Sequence, residues 1–524
     1  MFGVMIDSSR NAVMKPQAVK RFADIIKAMG YDTIMLYTED TYEVDGHPLF
    51  GAMRGRYTKD ELRDIDKYCD EIGIELIPCI QTLAHLNCMF KWSDYVEIND
   101  CEDILLADDE KTYKLIDDMF SSISQCFSSR KIHIGMDEAY NVGNGRYKNN
   151  HKDYDRFDVI NGHLHKVCAI ADKYGFEPMI WSDMFCKLAL DSDDYYNMEG
   201  VEKIKEKSEL PNNISLVYWD YYSTDYNRYE KMINVNKLFG RKVYFAGGAW
   251  TWRGFAPDNQ FSIDTTAAAV KACNDCGVDG MFFTMWGDDG GECSPFAVLP
   301  SLMYAAEASR GNYDIDSIKK KFNEITGCSF DNFMLLDELD NPGGKHKKGE
   351  SVSRYILYND LFTGVKDCFC DGNDTLFYKD LAERIHNAKE DGFEVMFDSY
   401  ESLAHVFEIK ADLGLRTRTA YKSRDAKQLK ELINDYELLL VWVEEFHKAY
   451  QKLWFEYNKP HGFDIQDIRI GGLIQRIKSC TARIYDFLNG NISEIPELEE
   501  EMPIGDTKQY WSRIASPNVI SMFL

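Results

Sequence analysis

His133, Gly135, Asp137 and Glu138, within KIHIGMDEAYNVG, are the residues whose types and spacing best fit chemistry. KIHIG reads as a short buried strand, and the acidic pair stands where that strand should end. Adjacent carboxylates at a strand end point in different directions, so one site can give them different tasks. Neighbouring negative charge and burial are expected to raise the pKa of at least one of them, keeping a proton available near neutral pH. Such a group can protonate a leaving group. A bare Asp-Glu pair is ordinarily solvated loop charge, whereas H-x-G-x-D-E after a strand is far more selective.

The elements that must hold this motif repeat along the first 310 or so residues. Apolar runs occur at Phe2–Ile6, Thr33–Tyr37, Ile74–Ile80, Ile132–Gly135, Pro178–Trp181, Ser215–Trp219, Val243–Ala246 and Met281–Trp286, each followed by a helical segment. In the first helix Pro16 suits the start, Val19, Phe22, Ile26 and Met29 share one face, and Gly30 stops it. Eight strand–helix alternations predict an α/β chain with a (β/α)8 TIM barrel over residues 1–310. A doubly wound open sheet is the competing arrangement, but no glycine-rich phosphate loop follows the first strand. Strand signals then cease, and helical periodicity at 314–326, 374–389, 396–410, 424–458 and 464–490 predicts an α-helical C-terminal domain over 311–524. Asp340–Gly349 reads as a flexible connector, and Glu494–Glu501 as solvated acidic surface.

A length of 524 residues implies about two to four domain-sized units. Lys and Arg number 60 against 87 Asp and Glu, a net charge of −27 that disfavours nucleic acid and anionic membranes as partners. The N-terminal MFGVMIDSSRNAVMKP has no basic stretch leading into an apolar one, so no signal peptide is expected. Apolar runs such as Leu438–Val443 are far below membrane-spanning length. The 14 cysteines form no framework, and the single CxxC, Cys273 and Cys276, lacks partners for a zinc site. They read as reduced thiols of a cytoplasmic protein.

Since the C-terminal ends of barrel strands build active sites, their residues carry the functional argument. In order these ends read Asp7-Ser8-Ser9-Arg10, Glu39-Asp40, Gln81 through His85 to Asn87, Asp137-Glu138, Trp181-Ser182-Asp183, Trp219-Asp220-Tyr221-Tyr222, Trp250-Thr251-Trp252 and Trp286-Gly287-Asp288-Asp289. Five of the nine tryptophans therefore fall at the last four strand ends. Some would simply cap the core, but together they favour an aromatic-walled pocket suited to the apolar face of a sugar ring.

This ordered set, with H-x-G-x-D-E at its centre, resembles the family 20 glycoside hydrolases, the β-N-acetylhexosaminidases, across the whole barrel. The resemblance implies roles. Glu138 is the general acid/base, and Asp137 orients the substrate's 2-acetamido group. Arg10 grips sugar hydroxyls, and Asp288 binds hydroxyls on the far side of the ring. Glu39 and His85 form a proton-relay chain to the acid. Trp181, Trp219, Trp250 and Trp286 wall the acetamido pocket, with Trp252 a lesser candidate. Tyr221, preferred over Tyr222, bonds the acetamido oxygen. The implied mechanism is retaining and substrate-assisted, through an oxazolinium intermediate, with no metal or organic cofactor. The implied substrate is an oligosaccharide or glycoconjugate ending in β-linked GlcNAc or GalNAc, and a homodimer through the helical domain is compatible with the pattern.

Two features depart from the family. Its members commonly carry an α/β domain ahead of the barrel, whereas this chain begins on the first strand, and position 136 is Met where many relatives have Gly. The helical C-terminal domain resembles an extension of one bacterial branch. Two other readings remain open: a barrel glycosidase with a conventional carboxylate pair completed by Asp183 or Asp288, and a catalytically silent glycan-binding barrel.

Overall fold

The computed structural model describes residues 1–192, 194–197, 199–207, 209–288, 290–342, 351–367 and 374–501. Eight parallel strands close into a barrel: β1 (Phe2–Asp7), β2 (Thr33–Tyr37), β3 (Glu75–Cys79), β4 (Lys131–His133), β5 (Glu177–Trp181), β6 (Ser215–Trp219), β7 (Val243–Gly248) and β8 (Gly280–Met285). β1 pairs with β2 through Val4 opposite Ile34 and with β8 through Val4 opposite Phe283, which closes the ring and rules out the open sheet. The strands are buried on both faces, one against the barrel interior and one against helices. They therefore read as continuous apolar runs rather than alternations. Met5, Met35, Ile77, Met179, Val217 and Phe282 meet inside the barrel, with Trp181 and Tyr37 at the same core.

The first helix, Pro16–Met29, forms as its pattern predicts. It buries Val19, Phe22, Ile26 and Met29 and ends at Gly30 with φ 100°. The fourth strand is shorter than the sequence suggests. It stops at His133 because Gly135 (φ 73°) and Met136 (φ 68°) adopt left-handed backbone that no ladder accepts. The acidic pair thus hangs from a tight turn two residues beyond the strand. A small antiparallel hairpin, Asn99–Cys101 with Ile104–Leu105, decorates the connection between β3 and β4.

Chain contacts divide the molecule into two compact units. The first holds residues 1–250, 259–291 and 299–326, so the helix Ile315–Thr326 goes with the barrel. The second holds 251–258, 292–298 and 327–524. Its long helices are Glu394–Lys422, Ala426–Tyr457 and Phe463–Leu488, preceded by Asp374–Asn387. Within this unit Glu292 is buried between two guanidinium groups, with Arg354 Nε 2.5 Å from Oε2 and Arg469 Nη1 3.0 Å from Oε1.

The acidic segment Glu494–Glu501 differs from its expected role as solvated surface. Ile495 and Leu498 are buried, and Pro496–Glu499 forms a short helix. Arg418 donates to the carbonyls of Glu497, Leu498 and Glu500, while Arg483 pairs with Glu497 at 2.6 Å. Apolar residues at every third position, hidden among the acids, anchor it. Residues 343–349 of the expected connector lie outside the described residues.

Candidate active site

The turn after β4 takes its shape from one side chain, Gln81, at the end of β3. Gln81 Oε1 accepts the Met136 N–H at 3.1 Å, while its Nε2 donates to Asp137 Oδ1 at 2.7 Å and to the Tyr37 hydroxyl at 2.9 Å. This grip leaves no room beside Gly135, where a Cβ atom would stand 2.0 Å from Gln81 Oε1. The glycine of H-x-G is therefore needed for both its φ and its missing side chain. Met136 takes the same left-handed conformation with its side chain fully buried.

From this turn a continuous polar chain crosses the barrel mouth. His85 Nε2 lies 3.2 Å from Asp137 Oδ2 and 3.8 Å from Glu138 Oε2. Tyr37 donates its hydroxyl to Glu39 Oε1 at 3.1 Å, and Arg10 Nη2 pairs with the same oxygen at 3.1 Å. Tyr140 donates to Glu138 Oε1 at 3.1 Å. The backbone N–H of Glu138 donates to Asp183 Oδ2 at 3.1 Å. Arg10, Glu39, His85, Asp137 and Glu138, separated by up to 128 positions in sequence, thus form one network. His85 leans toward Asp137 more closely than toward Glu138.

The electrostatics divide the carboxyls into types. Burial opposes charge on Asp137, but His85 and the Gln81 hydrogen bond outweigh it and hold its carboxyl below the usual range. Burial also opposes the imidazolium of His85, yet the charge of Asp137 pushes its pKa up to about 10. Asp183 moves the other way: burial, then repulsion from Asp137, raises it to about 7. The expectation that one of the Asp-Glu pair holds a raised pKa therefore fails for Asp137, because a cation sits against it. Burial raises Glu39 against the pull of Arg10 and His85, and lowers His133 to about 3, leaving that ring neutral.

Backbone strain gathers at the same place. Glu39 (φ 45°), His85 (φ 59°), Met136 (φ 68°) and Glu138 (φ 50°) all adopt left-handed conformations. Each costs about 1–3 kcal/mol in a non-glycine residue, and such strain persists where surrounding contacts over-determine it. Here the Gln81, Asp103 and Asp183 side chains do so, accepting from Met136 N, His85 N and Glu138 N respectively.

Aromatic rings line the rest of the mouth. Trp181 is 1% exposed and packs 6.1 Å from Trp286, which meets Tyr37 edge-on at 4.8 Å. Trp181 therefore belongs to the barrel core, as a floor beneath Trp286. Trp219 stacks on Tyr221 at 5.3 Å, and Trp250 Nε1 donates to the Tyr221 carbonyl at 3.1 Å. The Tyr221 hydroxyl is buried, with side-chain hydrogen bonds to Trp286 and Thr284, while Tyr222 stands exposed against Trp250. Asp288 acts electrostatically on both Arg10 and Tyr222. Trp252 falls in the second unit.

Tyr37, Gln81 and Tyr140 were not singled out by residue type. Gln81 had a visible signal, a polar residue directly after an apolar strand; Tyr37 passes as an ordinary strand aromatic. Asp183, which a conventional carboxylate pair would need as its second member, is completely buried behind the Glu138 main chain. No sugar carbon can approach it. Among the described residues no group of three or more His, Cys, Asp or Glu side chains is arranged to hold a metal.

Comparison with known proteins agrees with this architecture. The profile of the glycosyl hydrolase family 20 catalytic domain matches residues 2–274, and that of the glycoside hydrolase 20C C-terminal domain matches residues 331–513. Hexosaminidase D of Bos taurus is 22% identical over 256 residues, covering 47% of this chain and 69% of the relative. Hexosaminidase D of Homo sapiens is 20% identical over 237 residues, and the matched region spans 46% of that relative's length. The Streptomyces plicatus N-acetyl-beta-hexosaminidase structure aligns with a TM-score of 0.46 at 18% identity, covering 62% of this chain and 68% of that one. With the catalytic-domain profile spanning more than half of its 524 residues, this chain belongs to glycosyl hydrolase family 20 and is a glycoside hydrolase.

Proposed function

We propose that the protein is an exo-acting β-N-acetylhexosaminidase that removes terminal β-linked GlcNAc or GalNAc with retention, the substrate's own 2-acetamido oxygen serving as nucleophile. The observation that carries this reading is the unequal treatment of two adjacent carboxyls. Asp137 is 13% exposed and held as an anion by His85 and Gln81, whereas the side chain of Glu138, one residue on, is 43% exposed. A fixed anion suits a developing positive charge, and an accessible carboxyl suits proton transfer.

In the first step the acetamido oxygen attacks the anomeric carbon as the glycosidic bond breaks. Glu138 gives its proton to the departing oxygen, and Asp137 accepts the acetamido N–H and stabilises the charge forming on that nitrogen. In the second step Glu138 takes a proton from water, which attacks the same carbon and reopens the oxazolinium ring to the N-acetyl sugar. Trp286, Trp219 and Tyr221 hold the acetamido group in attack geometry, converting an encounter into an intramolecular reaction. Arg10 and Asp288 hold ring hydroxyls. No step requires a metal or organic cofactor, and the route differs from that of the conventional retaining two-carboxylate glycosidases in the source of the nucleophile.

The test is release of nitrophenol from the β-N-acetylglucosaminide and β-N-acetylgalactosaminide. Turnover blocked by a thiazoline inhibitor and absent on the plain β-glucoside is the expected result. Glu138→Gln should lose far more rate on substrates with poor leaving groups than on the activated aryl glycoside, and equal losses on both would sink the acid role. A folded wild-type protein inactive on every such sugar would favour the silent barrel instead.

The same reading includes a cytoplasmic setting, supported by the absence of disulfides among the described cysteines, and checked by cell fractionation. It also includes a homodimer through the helical domain, supported by the exposed Leu438 and Val441 (48% and 54%) on Ala426–Tyr457 and checked by sedimentation.

A further inference from the structure

Asp183 opens the helix Asp183–Leu190 after β5 and is 0% exposed. Its Oδ2 accepts the Glu138 N–H at 3.1 Å. Its Oδ1 is buried with no hydrogen-bond partner among the described residues. A buried carboxyl oxygen with no donor to accept from is expensive as an anion. The groups that face it from neighbouring elements are Asp137, Glu138 and Tyr140 from the turn after β4, Lys187 and Cys186 from its own helix, and Tyr195 beyond. Only Lys187 among them is cationic, and its ammonium lies 4.3 Å from the Tyr140 ring centre.

We infer that Asp183 is a positioning residue that acts through Glu138: its Oδ2 accepts the Glu138 N–H and so fixes the left-handed turn that aims the general acid. The inference rests on the reading of Glu138 as the general acid. The main-chain bond is available whether Asp183 is charged or neutral, since Oδ2 accepts in both forms. The charge is not constant. With its pKa raised to about 7 by burial and by Asp137, Asp183 is neutral in mildly acidic solution and ionises as the pH passes neutrality. The orientation of Glu138 is held in both forms by a group that never touches substrate.

The experiment compares Asp183→Asn and Asp183→Ala in the full chain. Asparagine keeps an oxygen for the Glu138 N–H but carries no charge at any pH. The asparagine variant should match wild type within about twofold in both kcat and KM, because the turn keeps its acceptor. Alanine leaves the Glu138 N–H without its acceptor. It should lose about tenfold in kcat across the whole range, with a larger loss for poor leaving groups and little change in KM. Equal losses of kcat in Asp183→Asn and Asp183→Ala, or no loss in Asp183→Ala, overturn the inference.

A second readout needs no substrate. A carboxyl whose pKa rises from 3.8 to about 7 on folding costs stability progressively as the pH climbs through that window. Asp183→Asn escapes this cost. Its Tm should therefore gain on wild type between pH 4 and 7, and a difference constant with pH would count against the buried neutral acid. If the wild type proves inactive on N-acetyl sugars, the proposed function fails while the thermal readout still decides the state of Asp183. If wild type is active and Glu138→Gln abolishes the slow substrates, a flat result at position 183 fails this inference alone.

Discussion

Two buried acidic clusters, one in each unit, are built on opposite terms. In the helical unit Glu292 has both oxygens covered by guanidinium groups, Arg354 and Arg469, with the Tyr358 hydroxyl 3.4 Å away. In the barrel the buried carboxyls of Glu39, Asp137 and Asp183, with the more exposed Glu138, face the cations Arg10, His85 and Lys187. They leave Asp183 Oδ1 unmatched among the described residues, and they rest on left-handed backbone. At Glu292 each carboxyl oxygen is met by a cation. A cluster that must move protons keeps its charges unbalanced, because an acid locked into a full set of partners has no proton to give.

The sharpest way to break this comparison is substitution of one acid from each. Asp137→Asn keeps the shape and the Gln81 contact but removes the charge that stabilises the acetamido nitrogen, so turnover should fall on the order of 100-fold or more with the fold intact. Steady-state kinetics alongside a melting curve checks it, and loss of fold instead of activity would put Asp137 in the structural class. Glu292→Ala should behave in reverse. Two guanidiniums lose their anion, which costs about 3–5 kcal/mol. Amide hydrogen exchange should show helices Val352–Tyr358 and Phe463–Leu488 opening faster.

Gln81→Leu tests the intermediate case. It removes the acceptor of Met136 N–H and the donor to both Tyr37 and Asp137 while keeping the volume. A loss of about tenfold in kcat is expected, with about 1–3 kcal/mol of stability from the unpaired N–H. A purely pH-dependent effect lies at His85, whose pKa rises from 6.5 to about 10 on folding. Its ion pair stabilises the fold fully below pH 6.5 and loses that contribution as the pH climbs toward 10. The Tm difference between wild type and His85→Phe should therefore shrink across that window, and one that grows would reverse the assignment of charge.

The two units were not equally legible in the sequence. All eight barrel strands announce themselves, because burial on both faces turns each into an apolar run, and the observed bounds shift by a residue or two. The long helices carry their own period. The motif around Asp137 and Glu138 and its placement at a strand end were readable from residue types. What their neighbours do was not. Gln81 reaches Tyr37 and Asp137 across 44 and 56 positions, and no local pattern encodes such a contact. The pKa rise expected within the Asp137–Glu138 pair does not fall on Asp137 for the same reason, since the cation opposing it, His85, comes from the loop after β3. Ile495 and Leu498 were hidden by the acids around them, where net charge masked a buried stripe.

Gly135 and Gln81 fit closely, yet they are open to change in different ways. Any side chain at 135 meets Gln81, and shortening residue 81 would not admit one, because φ 73° strains every side chain there. Position 135 is therefore closed on any background, while position 81 can change only by giving up the grip on Asp137 and Met136. Laboratory evolution should find 135 frozen as glycine and 81 open only with a loss of turnover.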